Sequence, residues 1–192
     1  LTLTDANYKF IMVNVGSFGK ENDAGVFTNS TLHDSIESGQ TKLPEPKILP
    51  GSSIKAPFVM VADEGFPMRE YIVRPFPGPA LLNSAENRTF NYRLSRARMV
   101  VECSYGAIHS KFNLLGKSIE TNVENAVHIV KSITLLHNAI KDLEGGDVDN
   151  RPVVYSRGVL GGRRGRSANA VSRLAAATRR TFAKYFKEHP LL

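Results

Sequence analysis

Residues 57–67 read Pro57-Phe58-Val59-Met60-Val61-Ala62-Asp63-Glu64-Gly65-Phe66-Pro67. The apolar run 58–62 has the length of a buried strand and is too short for a helix. It stops abruptly at two acids and a glycine. An acid just past the C-terminal end of a strand stands where open α/β sheets place their ligand-binding residues. Asp63 is therefore a candidate functional residue, with an ordinary loop acid as the alternative reading. On either side the chain is rich in turn formers. Gly39, Pro44, Pro46, Pro50 and Gly51 make 38–56 a long predicted loop, and Pro75, Pro77, Gly78 and Pro79 make a second.

Upstream, 1–4 alternates apolar and polar residues, Asp5-Ala6-Asn7 is turn chemistry, and 8–15 is a β-rich run apolar on both faces. This predicts a hairpin with a buried second arm, broken at 16–19. A short helical stretch follows over 22–32, with Asn22 or Asp23 as its cap. Downstream, 89–112 reads as one long helix. Leu94, Ala97, Val101, Tyr105, Ile108 and Phe112 form its apolar face, and Arg93, Arg96 and Arg98 lie mostly on the others. Thr121 with Glu124 has the spacing of a capping box and opens another helix through Val127, Val130, Ile133, Leu136 and Ile140. His137 lies near the apolar side of that helix and reads as a hydrogen-bonded core residue. Gly145-Gly146 ends the compact body.

The chain has 192 residues and a formal net charge of +7. The excess is local. Residues 151–192 hold ten Lys/Arg and one acid, Glu188, leaving 15 basic and 17 acidic residues elsewhere. A nearly neutral body thus carries a cationic segment: 157–166 is Gly/Arg-rich and predicted disordered, and 168–187 has the makings of a basic helix. Such segments contact nucleic acid or serve as nuclear import signals, and a solvated tail without a partner is the alternative. No apolar run is long enough to span a bilayer, so no membrane partner is expected. One cysteine, Cys103, excludes a disulfide framework and a multi-Cys zinc site. The run 158–163 lacks the Lys-Ser/Thr ending of a phosphate-binding loop, and no small-molecule cofactor motif stands elsewhere.

Among the acids, Glu102 joins Asp63. It sits about midway along the predicted helix, beside Val101, near the edge of the buried face. Carboxylates from a strand end and a helix that converge on one point would bind Mg²⁺ or Mn²⁺, hard cations that prefer oxygen, for phosphodiester cleavage. The alternative is an ion pair between Glu102 and Arg98, four residues earlier. Asp23 reads equally as a helix cap, and Asp5 as a hairpin-turn residue. Arg93, Arg96 and Arg98 are candidate phosphate contacts or simply a solvated face.

Three segments carry a resemblance: DANYKFIMVNVGSFGKENDAGVFTNSTL, LPGSSIKAPFVMVADEGFPMREYIVRPFPG, and FNYRLSRARMVVECSYGAIHSKFNLL followed later by LLHN. Over about 1–142 the chain resembles the DDE superfamily endonucleases of the PIF/Harbinger transposase type. The resemblance implies an α/β, RNase H-like fold of the integrase/transposase superfamily, a mixed sheet flanked by helices. It also implies a divalent-metal nuclease acting on DNA, the nucleus as its compartment (with the cytoplasm also open), and a Myb-like DNA-binding partner protein. Asp63 resembles the family's second catalytic acid and Glu102 its third, so the metal would be Mg²⁺ or Mn²⁺ on Asp63 and Glu102. Asp23 matches a motif acid with a supporting role. Residues 179–186 resemble the family's closing helix.

The family's first catalytic aspartate lies in an Asp-Gly-Thr-His-like motif upstream of the hairpin, and no such motif occurs in this sequence. The expectation is a nuclease domain over 1–145 lacking its first strand, by truncation or as a derived copy, with weak or no cleavage. A Gly/Arg-rich linker over 146–167 and a basic helix or tail over 168–192 would follow, with Arg163, Arg164 and Arg166 as further nucleic-acid contacts. In a sheet ordered 3-2-1-4-5, loss of strand 1 would leave the hairpin and the 58–62 strand with unpaired edges. Marginal stability follows unless another segment fills the slot. The alternative function is a non-catalytic binding protein of nucleic acid or protein that keeps the fold as a scaffold and uses the basic tail.

Overall fold

The computed structural model describes residues 1–17, 20–144 and 172–190. The expected break at Phe18-Gly19, the predicted linker, the domain boundaries at 145 and 168, and Arg163, Arg164 and Arg166 all lie outside the described residues. The described parts of Leu1–Glu21 and Met99–Gly161 form one compact unit, and those of Asn22–Arg98 and Gly162–Leu192 a second.

The first unit opens with the predicted hairpin, β1 (Thr2–Thr4) paired antiparallel with β2 (Phe10–Val13). Asp5 builds the turn, its Oδ1 accepting from the N–H groups of Asn7 (2.8 Å) and Lys9 (3.0 Å). The second arm is only half-buried: Phe10 is in the core, whereas Ile11 is 63% exposed. The far half of helix α3 (Ala85–Lys111) and helix α4 (Val123–Leu143) complete the unit. Phe10, Ile108 and Ile133 form its core, with Val13, Phe112, Leu115 and Ile129 packed around them. The capping box at Thr121 does not form. Asn122 caps α4 instead, accepting from the N–H of Asn125 at 2.8 Å. Leu136 faces solvent, and His137 takes the inward position.

Two α4 side chains bind the hairpin. Asn138 accepts from Phe10 N–H and donates to Phe10 C=O, both at 2.8 Å. His137 Nε2 lies 2.9 Å from Tyr8 O. An amide side chain therefore satisfies backbone groups on the outer edge of β2.

The second unit holds two helices where one was predicted. Helix α1 (Asp23–Thr28) ends at Asn29, and Ser30 caps α2 (Thr31–Glu37). The predicted loop 38–56 contains a small hairpin, β3 (Lys47–Ile48) with β4 (Lys55–Ala56), whose turn uses Gly51 at φ +69°. Strand β5 (Met60–Val61) pairs in parallel with β6 (Ile72–Val73), a strand absent from the sequence reading. The run 58–62 is less buried than its composition implies: Phe58 is 44% and Val61 40% exposed, while Ile72 and Val73 are fully buried. Among the described residues the strands pair two by two, so the five-stranded order 3-2-1-4-5 does not form.

Helix α3 starts four residues earlier than expected. Phe90, Leu94, Ser104, Gly106 and Ile108 are its buried positions, while Ala97 and Tyr105 are exposed. Helix α5 (Arg173–Glu188) was expected in a basic tail, and its inner face is instead part of the second core. Val73, Phe90, Leu94 and Ala183 pack together, with Val59, Phe76, Phe182 and Phe186 around them. Leu174 and Ala177 face outward, and Ala175 and Ala183 fill the contact. Arg179 donates to Pro75 O at 3.1 Å, with its guanidinium 4.0 Å from the Phe76 ring centre. Tyr185 donates to Pro50 O at 2.8 Å, and His189 Nε2 lies 3.0 Å from Gly51 O, tying the β3–β4 turn to α5.

Candidate functional site

Asp63 stands two residues past β5. The register extends toward it, because Ala62 N–H donates to Val73 O at 3.0 Å. The strand is thus fixed against buried β6 up to the residue before the acid. The chain then reverses. Gly65 N–H donates to Asp63 Oδ1 (2.9 Å), and Phe66 N–H approaches Asp63 O (3.4 Å). Arg74, just past β6, donates through Nη1 to Glu64 O and Phe66 O, each at 3.1 Å. A side chain, the backbone and a guanidinium all define this turn, so the Asp63 carboxylate is held rather than free to swing.

Helix α1 brings a second acid to the turn. Asn22 caps it, with Oδ1 accepting from Gly25 N–H at 2.7 Å. One turn in, buried Phe27 meets the Phe66 ring edge-on at 6.4 Å. Asp23, the first helical residue, consequently sits beside Gly65. A β-carbon on Gly65 would stand 2.8 Å from Asp23 Oδ2 and 3.1 Å from Asp63 Oδ1. Those two oxygens are therefore at most 5.9 Å apart, the sum of the two distances. A side chain at position 65 would push the Asp23 carboxylate aside. Burial, and then repulsion from Asp63, pushes the Asp23 carboxyl above its ordinary 3.8.

The third group is cationic. Arg98 Nη2 lies 3.6 Å from Asp63 Oδ2, with both side chains partly exposed. Arg98 and Glu102 share a face of α3 one turn apart. The helical pair expected between them does not form, because Arg98 turns to Asp63. Glu102 is exposed, and no ion pair engages it among the described residues.

The other arginines divide. Arg93 donates to His189 O and lies over the Phe186 ring, 4.7 Å from its centre, so it holds α3 to α5. Arg96 is exposed and reaches Tyr92 OH at 3.2 Å. The nearness of Asp23 and Asp63 was missed in sequence, although a signal existed. Asp23 precedes apolar Phe27 by one helical turn, and Gly65 follows Asp63 by two residues.

For a divalent cation the donor chemistry is suitable but short. Two carboxylates, one with ionisation disfavoured by burial and then by the other, offer the oxygen ligands that Mg²⁺ and Mn²⁺ prefer. No group of three or more His, Cys, Asp or Glu side chains close enough to hold an ion stands among the described residues. The residues fit a weak, two-donor site.

The family of DDE superfamily endonucleases matches residues 1–138. The chain belongs to this family. The matched span includes Asp23, Asp63 and Glu102 and ends within α4. No curated protein and no solved structure matches the chain significantly. As a DDE superfamily endonuclease, it is a transposase-derived nuclease domain with a mixed helix and small-sheet architecture. No described helix is long and apolar enough to cross a membrane.

Proposed function

We propose that this chain is the nuclease core of a PIF/Harbinger-type endonuclease of RNase H-like ancestry that acts on DNA in the nucleus. In this reading Asp63 and Glu102 are its catalytic and metal-binding carboxylates, and Asp23 is the supporting acid. Residues 1–145 form the nuclease domain, followed by a linker over 146–167 and a basic segment over 168–192. Arg96, Arg98, Arg163, Arg164 and Arg166 approach the substrate's phosphates. Arg93, tied to the backbone of His189, has the least freedom to do so. A Myb-like protein supplies sequence recognition.

The observation that carries the reading is the clamped turn at Asp63, with a second carboxylate beside it, in a chain of this family. Bound Mg²⁺ or Mn²⁺ would activate a water and stabilise the leaving oxygen. The chain's own residues prepare for this. Gly65 N–H orients the Asp63 carboxylate, Arg74 holds the turn that follows it, Asp23 adds negative charge, and Arg98 balances Asp63 while no cation is bound. With two motif acids in place of three, cleavage by this chain alone is expected to be slow.

Nicking of supercoiled plasmid in Mn²⁺ tests the reading. Asp63→Asn and Glu102→Gln should each lower nicking about a hundredfold or more. Equal nicking by wild type and Glu102→Gln removes Glu102 from the site.

A second reading, a non-catalytic DNA-binding protein, is favoured by the Arg98–Asp63 contact, which satisfies the acid without a metal. It requires Asp63→Asn to leave DNA binding and metal response alike unchanged.

A further inference from the structure

The outward face of α5 has no role in the nuclease reading. Arg173, Arg180, Lys184 and Lys187 are exposed and follow one another at seven, four and three residues, so they form a single stripe along the helix. Arg179 belongs to the inner face and is engaged with Pro75 and Phe76. The stripe borders a cleft of about 610 Å³ in the same unit, where Arg180, Lys184 and Lys187 face Glu86 of α3 and Glu188, over the Phe76 ring. Lys184 and Glu188 make the one exposed ion pair of this face among the described residues, at 3.9 Å. The other three cations of the stripe have no carboxylate within ion-pair distance among the described residues.

We infer that this stripe is a docking track for the phosphodiester backbone of duplex DNA, with the cleft receiving phosphates. Charge complementarity supports this occupant: four cations on one side of a helix meet one acid of the same helix. The dimensions agree. From Arg173 to Lys187 the axis rises about 21 Å, so the four cations are spread over a length that can meet several phosphates at once. The stripe is anchored, because Ala175 and Ala183 of the same helix are fully buried. Fixed cations lose less freedom on binding than cations on a loose tail. The choice of DNA over another polyanion rests on the nuclease reading above. The track lies apart in sequence from Asp63 and Glu102 and reads no bases, so it adds affinity without sequence preference.

The test is fluorescence anisotropy of a labelled 20-base-pair duplex against the full chain over a range of salt. Replacing Arg180, Lys184 and Lys187 together by Gln should weaken binding about tenfold or more at moderate salt. It should also lower the slope of log K against log salt by about 2 to 3, near 0.9 for each lost phosphate contact. Replacing Glu86 and Glu188 by Gln should tighten binding severalfold. This second arm keeps the test decisive should the triple variant fold poorly. Unchanged affinity and slope in both variants overturn the track, as does a loss found only when Arg163, Arg164 and Arg166 are replaced instead. Loss of Mn²⁺-dependent nicking in Asp63→Asn, measured in parallel, reports on the nuclease reading separately.

Discussion

The two units use buried polar groups in opposite ways. In the hairpin unit, Asn138 pairs with both backbone groups of Phe10, His137 reaches Tyr8 O, and Ser104 donates to Val100 O (2.9 Å) and approaches Tyr8 O (3.1 Å). Each of these groups has what it needs, and each holds elements together. In the Asp63 unit, two carboxylates crowd one glycine, and one of them has its ionisation disfavoured. Burial of Asp23 and its repulsion from Asp63 oppose folding at neutral pH. A protein keeps such an arrangement where the charge has work to do.

The largest effect that would break this contrast lies in the hairpin unit. Asn138→Ala strands two backbone groups of Phe10 and should cost about 2 to 4 kcal/mol, read from urea unfolding. A loss below about 1 kcal/mol would mean that the α4 amide is ornamental. Next is Gly65→Ala. Its new β-carbon meets Asp23 Oδ2 at 2.8 Å, so the Asp23 carboxylate must swing aside. A loss of about 1 to 3 kcal/mol is expected, together with a smaller response of the melting temperature to Mn²⁺ than in the parent chain, where the proposed site predicts a rise. Retention of that rise would show that Asp23 and Asp63 act independently.

The pH dependence sharpens the comparison, because the two units respond with opposite sign. Burial, partly offset by the bond to Tyr8 O, lowers His137 below its ordinary 6.5. Its unfolded form binds the proton more readily, so stability should fall as pH drops through 6.5. Asp23 lies above its ordinary 3.8, so its contribution is full below that value and is lost as pH rises through the raised one. Melting temperature against pH should flatten below 6.5 in His137→Gln and remain otherwise parallel in Asp23→Asn. The smallest effect is a slight gain in melting temperature for Asp23→Asn at neutral pH without metal. A fall there would show that the Asp23 carboxylate stabilises the fold.

What the sequence made legible was local. Turn chemistry at Asp5-Ala6-Asn7, the periodicity of α4, and the acid after an apolar run all depend on neighbours within a few positions, and all correspond to structure. The failures are long-range. Strand β6 is two residues in a Pro-rich neighbourhood, and only its pairing with β5 makes it a strand. Asp23 reads as a helix cap until Phe27 and Phe66 meet. The inner face of α5 is poorly marked in the sequence, because buried Ala175 and Ala183 carry little hydrophobic signal while exposed Leu174 carries much. Arg179 looked like part of a cationic surface, yet an aromatic ring and a carbonyl draw it inward.

That inward-facing arginine has a practical consequence for anyone shortening the polypeptide. The family match stops at position 138, which invites removal of everything after α4 as dispensable. Yet Ala183, Phe182 and Phe186 form one wall around Phe90 and Val73. Cutting there would bare an aromatic cavity, and the trimmed product would precipitate or be captured by chaperones rather than yield a minimal nuclease.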